Sequence, residues 1–424
     1  MTNFLNKIFL VTNNSDYVNQ GIKDLTFKTP VKKIFNAINT FSSSSEIRYV
    51  GGCLRKIINR ETVDDIDLAT NLSPQEVGEA LNDKNINFYK TGIKHGTITA
   101  VIDGYKFEIT SLREDIETDG RHAEVKFSTD WKKDASRRDF TINSIYSDLD
   151  GNLFDPFNGK QDLEKGLVKF IGDPEKRIKE DYLRILRYLR FYLTYSKHNH
   201  KPDILRVIKK NLEGISKLSK ERLLDELKKY IKSKILIKLA NDKFSLELFK
   251  IIFPQLRRIE IFSKLNSISK KKLEETDFIF ILSLLIIDGT DNADYFMYKF
   301  NISKKDQKRL KIINTFYNNK TVVKSFSEEN LNKIFYFDGK QAVLDILNYK
   351  LFITKKIDQK LVDLIDVFKS KILQNMPIDA GILMTKYNIP EGKTLGNKLK
   401  LIEEMWVKNN FKISEKQIDK IVSH

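Results

Sequence analysis

The chain has 424 residues, 41% of them hydrophobic and 31% charged, a composition typical of a globular protein. It contains no run of about 18 apolar residues, so no membrane-spanning segment is expected. The single cysteine excludes an internal disulfide and, with only five histidines, leaves no zinc-ligand cluster. The length predicts roughly two to four domains.

The first residues give no sign of a targeting segment. The apolar run IFLV at 8–11 is too short for a signal-peptide core, and no arginine precedes Arg48, which argues against a transit peptide. The single cysteine fits a reducing compartment, and together with these features it predicts a cytoplasmic protein.

The formal charge of +17 is unevenly distributed. Residues 1–150 hold 20 Lys and Arg against 22 Asp and Glu, whereas residues 151–424 hold 54 against 35. A basic second part predicts a polyanionic partner such as nucleic acid, although a general lysine bias of 58 Lys to 16 Arg would also raise the charge. Eight of those 16 arginines lie between 113 and 190, where a rigid guanidinium fork for phosphate or base edges is expected.

In chain order, the front alternates short strand and helix signals. IRYVGG reads as a strand ending at a glycine pair, and PQEVGEALND reads as a helix with Pro74 near its start. GTITAVIDGYKFEITSL predicts two strands joined at the turn residues DG, and LREDIETDGRH predicts a mobile loop. After about residue 160, helical periodicity dominates, and FIFILSLLII is apolar on all sides and therefore predicted to be buried.

These patterns predict an α+β multidomain chain with an α/β head and an all-α remainder. The expected parts are an N-terminal extension (1–30), the head (31–160), a helical neck (161–260), and a helical body and tail (261–424).

The segment DDIDLAT carries the first candidate site. Residues two apart on a strand share a face, so Asp65 and Asp67 are expected to project together while Ile66 and Leu68 face the core. Two adjacent carboxylates favour a cation between them, and Mg²⁺ takes one or two carboxylates plus substrate phosphates. Asp-x-Asp alone is a weak signal, because most such pairs are exposed loop acids.

The segment VGGCLR lies just upstream of these carboxylates. A turn at Gly51 and Gly52 lets backbone N–H groups approach phosphates, and Arg55 is expected to begin the next helix. For the glycines alone, a plain tight turn is the favoured interpretation.

Two further segments concentrate arginine. SRRDFTINSIY carries Arg137 and Arg138, which are compatible with a surface ion-pair patch as well as with a binding site. EDYLRILRYLRF (180–191) predicts one buried helix, in which Asp181, Arg184, Arg187 and Arg190 recur every third residue and form a row. The row is either a solvated, salt-bridged face or a surface that meets an anion.

Taken in order, YVGGCLR, DDIDLAT, LREDIETDGRH, RRDFTINSIY, DPFNGKQDL and EDYLRILRYLRF closely resemble the class II (bacterial and eukaryotic) tRNA nucleotidyltransferases, the CCA-adding enzymes of the polymerase-β-like nucleotidyltransferase superfamily. The resemblance covers about residues 47–230. It implies a head with a mixed five-stranded sheet, followed by a neck, body and tail. It also implies addition of CCA to the tRNA 3′ end from CTP and ATP, with Mg²⁺ as cofactor and tRNA as partner.

The resemblance also implies residue roles. Asp65 and Asp67 match the metal-binding pair, Gly51, Gly52 and Arg55 the triphosphate contacts, and Arg138 a further nucleotide contact. Asp181 and Arg184 match the family's amino-acid template for cytosine and adenine, and Arg187 and Arg190 match residues lining the nucleotide pocket. Glu108 is a candidate third carboxylate. Lys56 stands where many members have Asp, which puts the contact of Arg55 with the triphosphate in question.

Three alternatives remain open at this level. A bacterial poly(A) polymerase shares the head and neck, and a partial enzyme would add only CC or only A; the full LREDIETDGRH segment argues against CC alone. A non-catalytic RNA-binding protein with a degenerate head is disfavoured by the presence of both carboxylates and of the Asp181–Arg184 pair.

Overall fold

The computed structural model describes residues 14–118, 123–231, 233–318 and 326–423. The chain divides into two compact units, Met1–Glu226 and Leu227–His424. The expectations for IFLV and for the start of the N-terminal extension lie outside the described residues. The domain boundaries at 30, 160 and 260 stay predictions.

The first unit begins with helices α1 and α2 and then alternates strands and helices. Its elements are α1 (Asn14–Lys28), α2 (Val31–Asn39), β1 (Ile47–Val50), α3 (Gly52–Ile58), β2 (Ile66–Thr70), α4 (Pro74–Asp83), β3 (Asn87–Gly92), β4 (Thr97–Ile102), β5 (Tyr105–Ser111), β6 (Arg113–Thr118), β7 (Ala123–Phe127), α5 (Trp131–Arg137), β8 (Tyr146–Ser147), β9 (Leu153–Phe154), α6 (Gly159–Lys165), α7 (Pro174–Glu180), α8 (Leu183–Tyr195) and α9 (Pro202–Lys210). Helix α10 (Lys220–Tyr230) begins in the first unit and ends in the second.

One mixed sheet forms the centre of the head, in the strand order β3-β4-β5-β2-β1-β8-β9. The pair β2–β5 is parallel and the other neighbours are antiparallel. Five strands of four to seven residues make up most of it, as expected, and the two-residue strands β8 and β9 extend it to seven. The α/β head followed by a largely helical remainder is therefore confirmed.

Local sequence explains several of these elements. Helix α4 starts at a capping box, in which the Ser73 side chain accepts from the backbone N–H of Glu76 and Glu76 accepts from that of Ser73. The turn between β4 and β5 holds Asp103 and Gly104 at φ of 51° and 81°, the left-handed region that suits an Asp-Gly hairpin turn. The hairpin predicted from GTITAVIDGYKFEITSL is present.

The prediction of a loop over LREDIETDGRH is wrong for its described part. Strands β6 and β7 form a separate antiparallel pair, with Arg113 opposite Phe127. A two-stranded ribbon has no buried face that demands apolar alternation, so its polar sequence resembled a loop. Residues 119–122 lie outside the described part.

The head core joins the sheet to the first helices. Tyr49, Leu68 and Phe107 of the sheet are fully buried in one cluster with Val18 and Ile22 of α1. Burying such a side chain stabilises the fold by about 1.5–3 kcal/mol. Helix α1 thus packs with the head, and the same cluster fixes the strands whose ends carry the candidate site.

The described residues of the second unit form helices and connecting segments, without a β-strand. Its helices are α11 (Ser233–Asn241), α12 (Lys243–Ile252), α13 (Ser267–Lys272), α14 (Phe278–Ile286), α15 (Asn292–Lys299), α16 (Lys304–Asn318), α17 (Glu328–Phe337), α18 (Lys340–Ile353), α19 (Gln359–Ser370), α20 (Ala380–Tyr387), α21 (Lys393–Lys408) and α22 (Glu415–Ser423). In α14 every residue from Ile279 to Ile286 is buried, which confirms the prediction from its apolar sequence. Within the described ranges, no helix combines the length and apolarity needed to cross a membrane.

Candidate active site

Two carboxylates stand opposite each other on the neighbouring strands β2 and β5, and a third lies just before β2. Asp67 lies in β2 directly opposite Glu108 of the parallel strand β5, and Asp65 immediately precedes β2. Burial raises the pKa of Asp67, and the negative charges of Glu108 and Asp65 raise it further. The arrangement concentrates negative charge in the way expected of a cation site.

The glycine turn packs directly against this carboxylate. Gly51 has φ of +67°, and a Cβ on Gly52 would lie 3.4 Å from Oδ2 of Asp67. A Cβ on Gly51 would lie 3.7 Å from Nη1 of Arg138. The turn therefore brings bare backbone beside both Asp67 and Arg138. Helix α3 starts at Gly52, three residues before Arg55, rather than at Arg55 as expected.

Arg138 is held by a buried cluster that the sequence did not reveal. Its Nε donates to the hydroxyl of Tyr146 at 3.0 Å, and its Nη2 donates to Oδ2 of Asp134 at 3.1 Å. Asp134 is 1% exposed, and the charges of Arg138 and Arg137 keep its pKa below the usual range in spite of burial. The Arg138 guanidinium is thereby fixed beside the glycine turn.

A second network connects Arg55 to helix α8. Arg55 Nη1 donates to Oδ1 of Asn143, and Nδ2 of Asn143 donates to Oδ1 of Asp139 at 2.6 Å. Oδ2 of Asp139 accepts from Nε of Arg187 at 2.5 Å. Burial raises the pKa of Asp139, but Arg187 and Asn143 outweigh that effect and lower it to about 2. Asp139 is therefore an ionised link between the glycine turn and α8.

Arginines of α3 and of α8 also lie around one aromatic ring, that of Phe191. The guanidinium carbons of Arg55, Arg187 and Arg190 lie 4.8, 5.7 and 4.3 Å from the ring centre of Phe191. Such contacts orient guanidinium groups without occupying their N–H donors fully. Arg190 additionally donates from Nε to Oε1 of Glu226 at 2.6 Å.

The prediction of a single helix over 180–191 is wrong, because α7 ends at Glu180 and α8 begins only at Leu183. Asp181 lies in the break with φ −154°, and its Oδ1 accepts from the backbone N–H of Leu183 at 3.1 Å. Its Oδ2 accepts from Nη2 of Arg222 at 2.7 Å. The break places Asp181 before the helix that carries Arg184, Arg187 and Arg190, so the four residues do not share one helical row.

Arg184 is 9% exposed and also has partners of its own. Its Nη1 donates to Oε2 of Glu180 at 2.5 Å and to the backbone oxygen of Arg177 at 2.8 Å. Asp181 and Arg184 therefore have different partners. Asp181 is held by Arg222 and a backbone N–H, and Arg184 is held by Glu180 and a backbone oxygen.

Lys56 forms an ion pair with Asp64, the residue before Asp65. The pair joins α3 to the segment that leads into β2, on the side of the carboxylate cluster. That Lys56, in place of the usual Asp, weakens the contact of Arg55 with the triphosphate stays a prediction.

The donor set fits a metal that is completed by substrate. Among the residues that the structure describes, no three His, Cys, Asp or Glu side chains are gathered as a ready metal cage. Mg²⁺ is usually bound by one or two carboxylates plus substrate phosphates, so Asp65 and Asp67 beside an open glycine turn suit it.

Sequence reasoning missed the partners of the predicted residues. These are Asp134, Asp139, Asn143, Tyr146, Glu180, Arg222 and Glu226. Asp139, Asn143 and Tyr146 stand inside the segment RRDFTINSIY, and Glu180 is the first residue of EDYLRILRYLRF, so the signal was present for these four. Asp134 lies four residues before its partner Arg138, whereas the contacts of Arg222 and Glu226 span 41 and 36 positions of the chain and became visible only in the structure.

Comparisons with known proteins agree with this architecture. A family model described as "Poly A polymerase head domain" matches residues 47–169, and one described as "Probable RNA and SrmB- binding site of polymerase A" matches residues 201–259. The chain is 33% identical to the mouse protein "CCA tRNA nucleotidyltransferase 1, mitochondrial" over 385 residues, 88% of this chain and 85% of that protein. The human protein of the same name is 48% identical over 189 residues, an alignment that spans only 44% of each chain.

A solved structure shares the fold. The crystal structure of the Bacillus stearothermophilus CCA-adding enzyme in complex with CTP has a TM-score of 0.70 at 20% identity, and the match covers 93% of this chain and 97% of that one. Fold and site together define a nucleotidyltransferase, a class whose members generally depend on a divalent metal. The extent of the match to the mouse protein shows that the chain belongs to the CCA tRNA nucleotidyltransferase family, as the motifs indicated.

Proposed function

We propose that this protein adds C, C and A to the 3′ end of tRNA from CTP and ATP, with release of pyrophosphate. The carrying observation is that the Asp65–Asp67–Glu108 carboxylates, the Gly51–Gly52 turn and the arginines of α8 are connected within one compact unit. The names of the mouse relative and of the CTP complex support tRNA and CTP as substrates.

Asp65 and Asp67 would hold Mg²⁺, with Glu108 adding charge beside them. A metal at this place supplies a Lewis acid that neutralises the triphosphate and activates the 3′-hydroxyl of the tRNA. The chain itself provides the bare backbone of Gly51 and Gly52 and the guanidinium groups of Arg55 and Arg138, which are suited to bind the phosphates. Their fixed partners Asn143, Asp134 and Tyr146 orient them before substrate arrives.

Asp181 and Arg184 would select the base. A carboxylate accepts from an exocyclic amine, which cytosine and adenine both carry, and a guanidinium donates to the adjacent ring nitrogen. Uracil and guanine present a carbonyl at that position and would leave the acid unpaired, which is costly. Arg184 would have to exchange its contact with Glu180 for the base, so we expect nucleotide binding to rearrange the start of α8.

The second unit would contribute phosphate contacts to tRNA. A cavity of about 880 Å³ between α16 and α17 is lined by Lys304, Lys308, Lys311 and Lys333. The first three are four and three residues apart on α16, so they share one face of the helix. Acids at Glu329 and Asp338 only partly offset this charge.

The cytoplasmic location also stays a prediction, and the names of the mouse and human relatives include the word mitochondrial.

The test is incubation of the purified protein with tRNA transcripts lacking CCA, CA or the final A, each supplied with CTP, ATP or both, and sequencing of the products. Complete CCA on the first transcript is the expected result. Addition of A only to the transcript ending in CC would identify a partial enzyme, and long A tracts would identify a poly(A) polymerase. No incorporation with Mg²⁺ present would favour a non-catalytic RNA-binding protein.

A further inference from the structure

One face of helix α10 contacts both Asp181, which is proposed to select the base, and Arg190, which lies further along in α8. Arg222 and Glu226 are four residues apart on this helix and therefore lie on the same face. Arg222 Nη2 donates to Oδ2 of Asp181 at 2.7 Å, and Glu226 Oε1 accepts from Nε of Arg190 at 2.6 Å. Asp181 and Arg190 are nine residues apart, and they lie 41 and 36 positions from their partners in the chain.

The contact of Arg222 holds the second oxygen of the Asp181 carboxylate. Asp181 lies in the non-helical break between α7 and α8, and its backbone oxygen accepts from the N–H of Arg184 at 3.0 Å. Its Oδ1 is bound to the backbone N–H of Leu183, and Arg222 holds its Oδ2. With both oxygens bound, the carboxyl plane cannot rotate freely, yet a carboxylate with about four lone-pair sites keeps room to accept from a base.

We infer that Arg222 is a positioning residue that sets nucleotide choice by orienting Asp181, with Glu226 anchoring α8 through Arg190. This inference rests on the proposed function. Arg222 would not touch the base itself. It keeps the acceptor of Asp181 at a constant angle, so that an exocyclic amine is accepted and a carbonyl oxygen is rejected.

The alternative is a salt bridge without a role in selection. Asp181 and Arg222 have side chains that are 22% and 31% exposed, and a pair of this exposure contributes little to stability. The two interpretations differ in what they predict. A purely structural pair changes the melting temperature slightly and leaves the choice of nucleotide unaltered, whereas a positioning residue changes selectivity more than it changes stability.

The experiment measures kcat/KM for CTP, UTP, ATP and GTP with the full chain and tRNA transcripts lacking CCA or the final A. For Arg222→Gln we expect the CTP/UTP and ATP/GTP ratios to fall by about tenfold, chiefly through a higher KM for the correct nucleotide and faster use of the wrong one. Arg222→Lys keeps the charge and loses the fork, so it should restore part of the selectivity. Arg206→Gln is the matched control, because Arg206 pairs with an exposed acid on α9.

A double substitution separates orientation from an independent effect. If Arg222 acts through Asp181, the variant with both Asp181→Asn and Arg222→Gln should be no less selective than Asp181→Asn alone. Additive losses, or ratios within about twofold of the unsubstituted protein in a folded Arg222→Gln variant, would overturn the inference. If Arg222→Gln does not fold, the uncharged variant Arg222→Met is judged by the same twofold criterion. Failure of the unsubstituted protein to extend tRNA would instead reject the proposed function.

Discussion

Asp67 and Glu108 stand directly opposite each other on the parallel strands β2 and β5. Like charges at this separation are unfavourable, and they contribute to the raised pKa of Asp67. Neighbouring carboxylates of this kind favour a cation between them, which supports the metal site that we propose.

Replacing either carboxylate of the proposed metal pair should remove catalysis. For Asp65→Ala or Asp67→Ala we expect addition of both C and A to fall by at least about 1,000-fold, because several kcal/mol of charge stabilisation are lost. Binding of tRNA, measured by filter retention, should change little. Asp203→Asn on α9 is the control, since its side chain is 83% exposed. Full activity of either alanine variant with Mg²⁺ present would reject the metal assignment.

Glu108→Gln tests whether the third carboxylate belongs to the site. The substitution keeps the size of the side chain and removes one negative charge beside Asp67. We expect half-maximal activity to require about tenfold more Mg²⁺, as is usual when a supporting group of a metal site is altered. The measurement is a Mg²⁺ titration of nucleotide incorporation, with the exposed Glu79→Gln on α4 as control. An unchanged titration would show that Glu108 is not part of the site.

The lowered pKa of Asp139 predicts how stability depends on pH. A carboxyl with a pKa of 3.8 in the unfolded chain and about 2 in the folded protein stabilises the folded state by about 2 kcal/mol at neutral pH. This contribution is present above about pH 4 and is lost as the pH falls towards 2, because the unfolded chain binds the proton first. Asp139→Asn should therefore be less stable than the unsubstituted protein at pH 7, by a margin that shrinks below pH 4.

Urea unfolding at pH 7, 5 and 3.5 measures that margin. Asp203→Asn serves as control for an exposed acid paired to an arginine on the same helix. A margin that stays constant with pH would mean that the cost comes from lost hydrogen-bond geometry and not from the charge of Asp139.

Much of the head could be predicted because its signals are local. The Asp103–Gly104 turn, the start of α4 at Pro74 and the alternation around Asp67 each depend on residues within a few positions. The position of Glu108 opposite Asp67 could only be guessed, because a parallel pairing of β2 with β5 depends on the long connection formed by residues 71–104.

The break at Asp181 could not be predicted for a related reason. The apolar residues continue with helical spacing from 183 to 191, so the pattern extends smoothly back to Glu180. Two contacts of Asp181 accompany the interruption: a local one, in which it accepts from the N–H of Leu183, and a tertiary one with Arg222 of a distant helix. Polar contacts between distant segments leave no periodic trace in a single sequence.

The roles of Asp181 and Arg184 are tested by nucleotide choice. Asp181→Ala removes the acceptor for the exocyclic amine, so rejection of UTP and GTP should weaken by roughly 10- to 150-fold, the cost of a charge-assisted hydrogen bond. Arg184→Ala removes the donor to the ring nitrogen, so CTP and ATP should both be used less efficiently. The measurement is kcat/KM for all four nucleotides with melting temperature as control. Unaltered ratios in folded variants would leave Asp181 and Arg184 as structural ion pairs.

The lysines of the α16–α17 cavity test whether the second unit binds tRNA phosphates. Each phosphate contact contributes a slope of roughly −0.7 to −0.9 to the dependence of log K on log salt concentration. Replacing Lys304, Lys308 and Lys311 by Gln should therefore weaken tRNA binding at low salt and make that slope less negative by roughly 2 to 3. A second triple variant, with Lys355, Lys356 and Lys360 replaced by Gln, removes the same charge from exposed positions outside the cavity lining. Filter binding across a range of salt concentrations compares the two. If both variants lose affinity equally, the basic composition of the unit as a whole attracts tRNA; a loss confined to the first places phosphates in the cavity.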